Sequence, residues 1–197
     1  MNKVNFFLAG CQKTGSTWLY ECLKEHPEIC VPKKDALHYF TINHYKGLEW
    51  YNQWFEPKPL EKVICDTTPS YIRDSFAAQR IYDYNPESKL LFVLRNPIER
   101  SFSHYSHMKR KKQINYKFED TLWYNDVGNY DLYMMWIQSS MYFDQLKPYF
   151  SVFPKEQIKI LLYDDLNEKA LQLKLQVLRF QGKLSLARNV YENFIKL

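Results

Sequence analysis

The stretch Gly10-Cys11-Gln12-Lys13-Thr14-Gly15-Ser16-Thr17 decides the fold of this chain of 197 residues. Residues 4–9, just before it, hold Val4, Phe6, Phe7, Leu8 and Ala9, an apolar run of the length and composition of a buried strand. Residues 17–25, just after it, place Trp18, Leu19, Cys22 and Leu23 along one helical stripe, which His26-Pro27 stops. Strand, glycine-bearing loop and helix in that order turn free backbone N–H groups and the positive end of a helix dipole toward a bound phosphate. The same two glycines also suit a tight strand-to-helix turn that binds nothing.

Outward from this unit, residues 63–65, 90–94 and 158–162 read as further buried strands. Residues 76–84, 98–109 and 130–149 read as helices, with Pro97 at the first turn of the second of them. Residues 39–55 read as loop plus a short helix. Alternation of this kind predicts an α/β fold of three layers, a mostly parallel sheet flanked by helices, with a P-loop-like first turn. A content of 46% hydrophobic and 17% aromatic residues supports one core, so residues 1–197 are expected to form a single domain.

The net charge of +5, from 27 basic and 22 acidic residues, suits an anionic small ligand and does not call for nucleic acid as a partner. Apolar runs stay well short of the roughly 18 residues that span a bilayer, and no signal-peptide cleavage pattern opens the chain. A cytoplasmic location without a membrane span is therefore expected. Cys11, Cys22, Cys30 and Cys65 lack metal-ligand spacing, so neither a metal nor a disulfide is expected. Oligomeric state is not legible.

The loop departs from the nucleoside-triphosphate pattern G-x-x-x-x-G-K-[ST] in one respect: Ser16 stands where the lysine belongs, and the lysine is Lys13, inside the loop. A lysine at the helix start reaches the far phosphates of a triphosphate, whereas one inside the loop sits beside a shorter 5′ group. Asp66, after Val63-Ile64-Cys65, is the one candidate for a Mg²⁺-binding aspartate. A second signal is Leu90-Leu91-Phe92-Val93-Leu94-Arg95-Asn96-Pro97, followed by Ser103. It delivers Arg95 at the carboxyl end of a strand, where open α/β sheets bind ligands, and Ser103 on the next helix. Arg95 also has Glu99 or Asp66 as ion-pair candidates.

With both signals in place, the chain resembles the sulfotransferases that use 3′-phosphoadenosine 5′-phosphosulfate (PAPS), especially heparan sulfate sulfotransferases and their bacterial relatives. The likeness runs from about residue 6 to 166. It implies that Lys13, Thr14, Gly15, Ser16 and Thr17 hold the 5′-phosphosulfate, that Arg95 and Ser103 hold the 3′-phosphate, and that adenosine 3′,5′-bisphosphate is the product. Asp66-Thr67-Thr68-Pro69-Ser70-Tyr71 matches a motif that often reads Glu-Lys-Thr-Pro-x-Tyr. Ser140-Met141-Tyr142 and Leu162-Tyr163-Asp164-Asp165-Leu166 fall where the family has similar residues. The implied reaction moves a sulfuryl group to a hydroxyl or amine of a small-molecule or glycan acceptor, without metal, and makes Lys13 the residue that meets charge building on the leaving nucleotide.

Three positions depart from the family pattern. Ala36 stands where a glutamate base is usual, which leaves Asp35 and His38 as alternative bases. Thr67 stands where a lysine is common, with Lys33 or Lys34 as possible compensation. After Phe180-Gln181-Gly182-Lys183 only 14 residues follow, with no counterpart of the loop that closes over the nucleotide, so the C-terminal part reads as truncated or divergent. These departures keep open an inactive nucleotide-binding scaffold and, further off, a small-molecule kinase using ATP. The run Lys109-Arg110-Lys111-Lys112 is either a landing patch for an anionic acceptor or a solvated helix end. Trp50, Tyr51, Trp54 and Phe55 read as core or as stacking surface for a sugar.

Overall fold

A computed structural model describes residues 3–121, 136–164 and 166. One compact unit covers Met1–Ile160. The C-terminal stretch read as divergent lies outside the described residues.

The sheet has five strands: β1 (Phe6–Gly10), β2 (Ile29–Cys30), β3 (Val63–Asp66), β4 (Lys89–Leu94) and β5 (Ile158–Leu162), ordered β2-β3-β1-β4-β5. β1 runs parallel to β3, with Phe6 opposite Cys65, and parallel to β4, with Phe7 opposite Leu90; β2 is parallel to β3. Phe7, Leu8 and Ala9 are fully buried, as expected of a central parallel strand covered on both faces. The flanking helices are α1 (Ser16–Lys24), α2 (Gly47–Asn52), α3 (Ala77–Tyr84), α4 (Pro97–Arg110) and α5 (Tyr142–Val152). The expected α/β architecture is present. Strand β2, only Ile29 and Cys30, is too short to leave a periodic signal in the sequence.

The helix expected over 130–149 is different. A 3₁₀ turn at Gln138–Ser140 precedes α5, which starts at Tyr142 and carries Pro148 inside it. Residues 130–135 lie outside the described residues. The turn is held by buried Arg100 of α4, whose Nε donates to Ser140 Oγ at 2.6 Å and whose Nη2 donates to the Trp136 carbonyl at 2.6 Å. Ser101 Oγ adds a bond to the same carbonyl at 2.8 Å. The two bonds to the Trp136 carbonyl satisfy a backbone group that a continuous helix would have paired internally.

The aromatics at 39–55 fill core. Tyr39 stacks on Tyr51 with ring centroids 4.4 Å apart, and Phe40 meets Phe7, Tyr51, Tyr71 and Tyr84 edge-on at 5.3–5.7 Å. Trp50, Trp54 and Phe55 pack partly buried around them. At the end of β3 the carboxylate of Asp66, itself fully buried, accepts from Thr68 Oγ1 on Oδ1 at 2.6 Å and from Tyr51 and Tyr71 hydroxyls on Oδ2, both at 2.8 Å. Tyr71 in turn accepts from the backbone N–H of Tyr39 at 3.1 Å. A buried carboxylate with three hydroxyl donors is a structural hub, which removes Asp66 from the role of a Mg²⁺ ligand and from pairing with Arg95.

Candidate functional site

β1 lies between β3 and β4, and its chain leaves toward β2 while β4 leads the other way. That is the point where strand order reverses, and the crevice beyond the carboxyl ends of β1 and β4 is where such sheets bind ligands. Three segments meet this edge: loop 11–15 after β1, loop 67–73 after β3, and Arg95 after β4.

The two glycines of the first loop act differently. A Cβ on Gly10 would lie 2.6 Å from Cβ of Ile72, so Gly10 is required by the close approach of the 67–73 segment. Gly15 adopts the left-handed region at φ 80° and serves as the N-cap of α1. It offers no side chain to the first turn, and that turn holds no acidic residue. The N–H groups at the start of α1 are therefore left for an anion. In contrast, the start of α4 is closed: Asn96 Oδ1 accepts from Ile98 N at 3.0 Å and Glu99 N at 3.4 Å.

Lys13, also left-handed at φ 71°, makes no ion pair among the described residues. Burial pushes its ammonium below the ordinary lysine value, and the like charges of Arg110, Lys111 and Arg100 push the same way. The basic end of α4 thus faces the loop. His107, which the same cluster reaches, is also lowered, first by burial and then by Lys13. Thr14 is buried, and its hydroxyl donates to the Cys11 carbonyl at 2.6 Å, so its side chain fastens the loop and leaves only backbone toward a ligand. Ser16 and Thr17 stand in the first turn of α1, Thr17 exposed.

Arg95 follows β4 directly and pairs with Glu99 through Nε at 3.1 Å, the nearer of the two partners the sequence suggests. Its carbonyl accepts from the Tyr142 hydroxyl at 2.9 Å. Ser103 is half-buried on α4, with His107 and Arg110 following at helical spacing on the same side.

Asp35 and His38 lie on one loop, close enough for the Asp35 charge to act on the His38 ring. The loop that carries them is unusual, since Ala36 and His38 hold left-handed backbone at φ 55° and 53°. Non-glycine residues so placed cost about 1–3 kcal/mol each and persist where surrounding contacts dictate them. Here buried Leu37 between them, its carbonyl bonded by Asn43 Nδ2 at 2.9 Å, supplies that anchoring. Asp35 Oδ1 accepts from Thr67 Oγ1 at 3.1 Å; burial of the carboxyl raises its pKa, although the residue is open to solvent. His38 Nδ1 lies 2.8 Å from Ser70 Oγ, and burial lowers its pKa, with Arg73 next in effect. Of the two candidates to replace the missing lysine, Lys33 pairs with Glu56, while Lys34, 5.8 Å from the Trp54 ring centroid, acts on His38 through its charge. Ser70 and Arg73 were not legible as site residues, because nothing in local spacing distinguishes them; only the fold of loop 67–73 against Gly10 brings them in.

The residues fit an anionic nucleotide: an uncapped helix start, beside it a lysine without an ion pair among the described residues, and an arginine on the neighbouring strand end. The family model of the sulfotransferase domain matches residues 3–196. Mouse heparan sulfate glucosamine 3-O-sulfotransferase 3A1 is 31% identical over 153 residues, covering 77% of this chain and 38% of that protein. The membrane-associated sulfotransferase kil1 of Dictyostelium discoideum is 36% identical over 124 residues, covering 58% of this chain and 26% of that protein. The chain thus spans less than half the length of these relatives. A sulfotransferase structure from Alicyclobacillus acidocaldarius superposes with a TM-score of 0.78 at 27% identity, covering 92% of this chain and 82% of the other. Parallel sheet, uncapped helix start and the family match over nearly the whole sequence lead to one conclusion: the chain belongs to the sulfotransferase domain family.

Proposed function

We propose that the chain transfers a sulfuryl group from PAPS to a hydroxyl or amine of a small-molecule or glycan acceptor. The observation that carries this reading is Lys13, a cation without an ion pair among the described residues, at the uncapped start of α1 and one strand away from Arg95. PAPS supplies an activated sulfuryl group whose S–O bond to the 5′-phosphate breaks as a new S–O or S–N bond forms. In this reading Lys13 and the N–H groups of Gly15, Ser16 and Thr17 hold the 5′-phosphate and stabilise the charge left on it. Arg95 and Ser103 hold the 3′-phosphate, Arg95 turning from Glu99 to do so.

His38 takes the acceptor proton. With Nδ1 protonated and donating to Ser70 Oγ, Nε2 keeps its lone pair, and the lowered pKa keeps the ring neutral near pH 7. Asp35 stabilises the imidazolium that forms, since its charge favours protonated His38. No helix among the described residues is long and apolar enough to cross a membrane. In this reading the chain works in the cytoplasm, where thiols such as its four cysteines, none of them in a disulfide, stay reduced.

Titration calorimetry tests the reading. Adenosine 3′,5′-bisphosphate should bind without Mg²⁺ and more tightly than Mg-ATP; the reverse preference would favour the kinase and overturn it. Transfer of labelled sulfonate to an acceptor separates an enzyme from a binding-only scaffold.

A further inference from the structure

The 3₁₀ turn Tyr71–Arg73 connects both halves of the site. Ser70, its N-cap, contacts His38 at 2.8 Å. Ile72 packs on Gly10 so closely that a Cβ there would clash. Tyr71 is fixed by Asp66 and, through its carbonyl, by the Tyr149 hydroxyl at 2.7 Å. Arg73 therefore leaves a rigid turn wedged between the acceptor-side histidine and the phosphate loop.

Its guanidinium has five N–H donors, and among the described residues it makes a single side-chain hydrogen bond, a long one of 3.4 Å to Ser139 Oγ, and no ion pair. Protein surrounds its charged end enough to lower its pKa by burial, yet the residue stays open to solvent. Its charge reaches both His38 and Cys11 of the loop. Of the other cations nearby, Arg100 is bound to Ser140 and Trp136, Lys33 to Glu56 and Arg95 to Glu99, while Lys13 stands in the phosphate loop. A partly desolvated arginine with no carboxylate partner among the described residues is a site for an anion that arrives with a ligand.

We propose that the Arg73 guanidinium binds the terminal sulfonate of the donor nucleotide, the group in transfer between the Lys13 loop and His38. This rests on the sulfuryl-transfer reading. Arg73 then offers a planar fork to two sulfonate oxygens, drawing the group toward the acceptor side and orienting it for in-line attack.

The test compares two nucleotides that differ by that sulfonate. Calorimetry with adenosine 3′,5′-bisphosphate and with PAPS is run on wild type, Arg73→Gln, Arg73→Lys and Ser139→Ala. Arg73→Gln should weaken PAPS about tenfold, the scale of one lost charge-assisted bond, and leave the bisphosphate unchanged. Arg73→Lys, which keeps charge without the fork and guards against a folding artefact, should fall between. Ser139→Ala, which removes the one side-chain bond to the guanidinium among the described residues, should leave both affinities as in wild type. Equal loss for both nucleotides, or loss for neither, overturns the proposal. Failure of wild type to bind either nucleotide instead overturns the sulfuryl-transfer reading beneath it.

Discussion

The Nδ1 atom of His38 lies 2.8 Å from Oγ of Ser70, a contact made across 32 residues of chain. It fixes the ring of a residue on a left-handed loop to the turn that packs on Gly10. The acceptor side and the phosphate loop are therefore held at one spacing by one turn, and the predictions follow from what that turn and its neighbours touch.

The pH dependence of the rate should identify His38. Burial depresses its pKa below the ordinary 6.5, so the rate rises with pH as the ring loses its proton, on a limb lying below 6.5. His38→Gln should remove this limb and lower kcat about 10²–10⁴-fold, the range of a lost general base. Asp35→Asn should lower kcat less and keep the limb, shifted to lower pH because the carboxylate favours protonated His38. A limb that survives His38→Gln and disappears in Asp35→Asn assigns the base to Asp35.

Stability should carry the same sign. A histidine whose folded pKa is lowered contributes stability that is present above its unfolded value of about 6.5 and is lost as pH falls toward the folded pKa. Melting temperature should decline as pH falls through that window, and His38→Gln should shallow the decline. His44 and His107, also lowered by burial, leave a residual slope. An unchanged slope in His38→Gln would show that the ring is not desolvated.

Lys13→Ala should lower kcat/KM about 10²–10³-fold, the scale seen when a charge-stabilising donor is removed. The melting temperature should hold, because the side chain has no ion pair to lose among the described residues. Wild-type turnover in this variant would remove Lys13 from the reaction.

Glu99→Gln should tighten adenosine 3′,5′-bisphosphate about two- to fivefold. The Arg95–Glu99 contact at 3.1 Å is a partly exposed pair, worth about 0.2–1 kcal/mol, and Arg95 must turn from it to bind a phosphate. Weaker binding in the variant would mean that Glu99 positions Arg95 for the phosphate instead of competing with it.

Gly10→Ala should destabilise the fold by about 1–3 kcal/mol, the cost of overpacking, since the new methyl meets Ile72 at 2.6 Å. Pairing it with Ile72→Ala should recover part of that loss in a denaturation-based double-mutant cycle. Strict additivity of the two would place the role of Gly10 elsewhere.

The sequence by itself determined the strand–loop–helix unit at Gly10, the strands β3, β4 and β5, and the helices α1, α3 and α4, because apolar period and Pro or Gly punctuation are local signals. It also placed Lys13 in the loop after β1 and Arg95 at the end of β4, since each sits at a fixed offset from a strand end. The short β2 and the start of α5 at Tyr142 were not legible, the first for want of length and the second because Arg100 binds the Trp136 carbonyl and the Ser140 hydroxyl, 36 and 40 residues away. Only the tertiary structure decided that Gly10 answers to Ile72, that Asp66 is spent on Tyr51, Thr68 and Tyr71, and that Arg73 reaches the site. These are contacts between segments remote in the chain, where close packing and the pairing of buried polar groups set the outcome and no residue spacing records it.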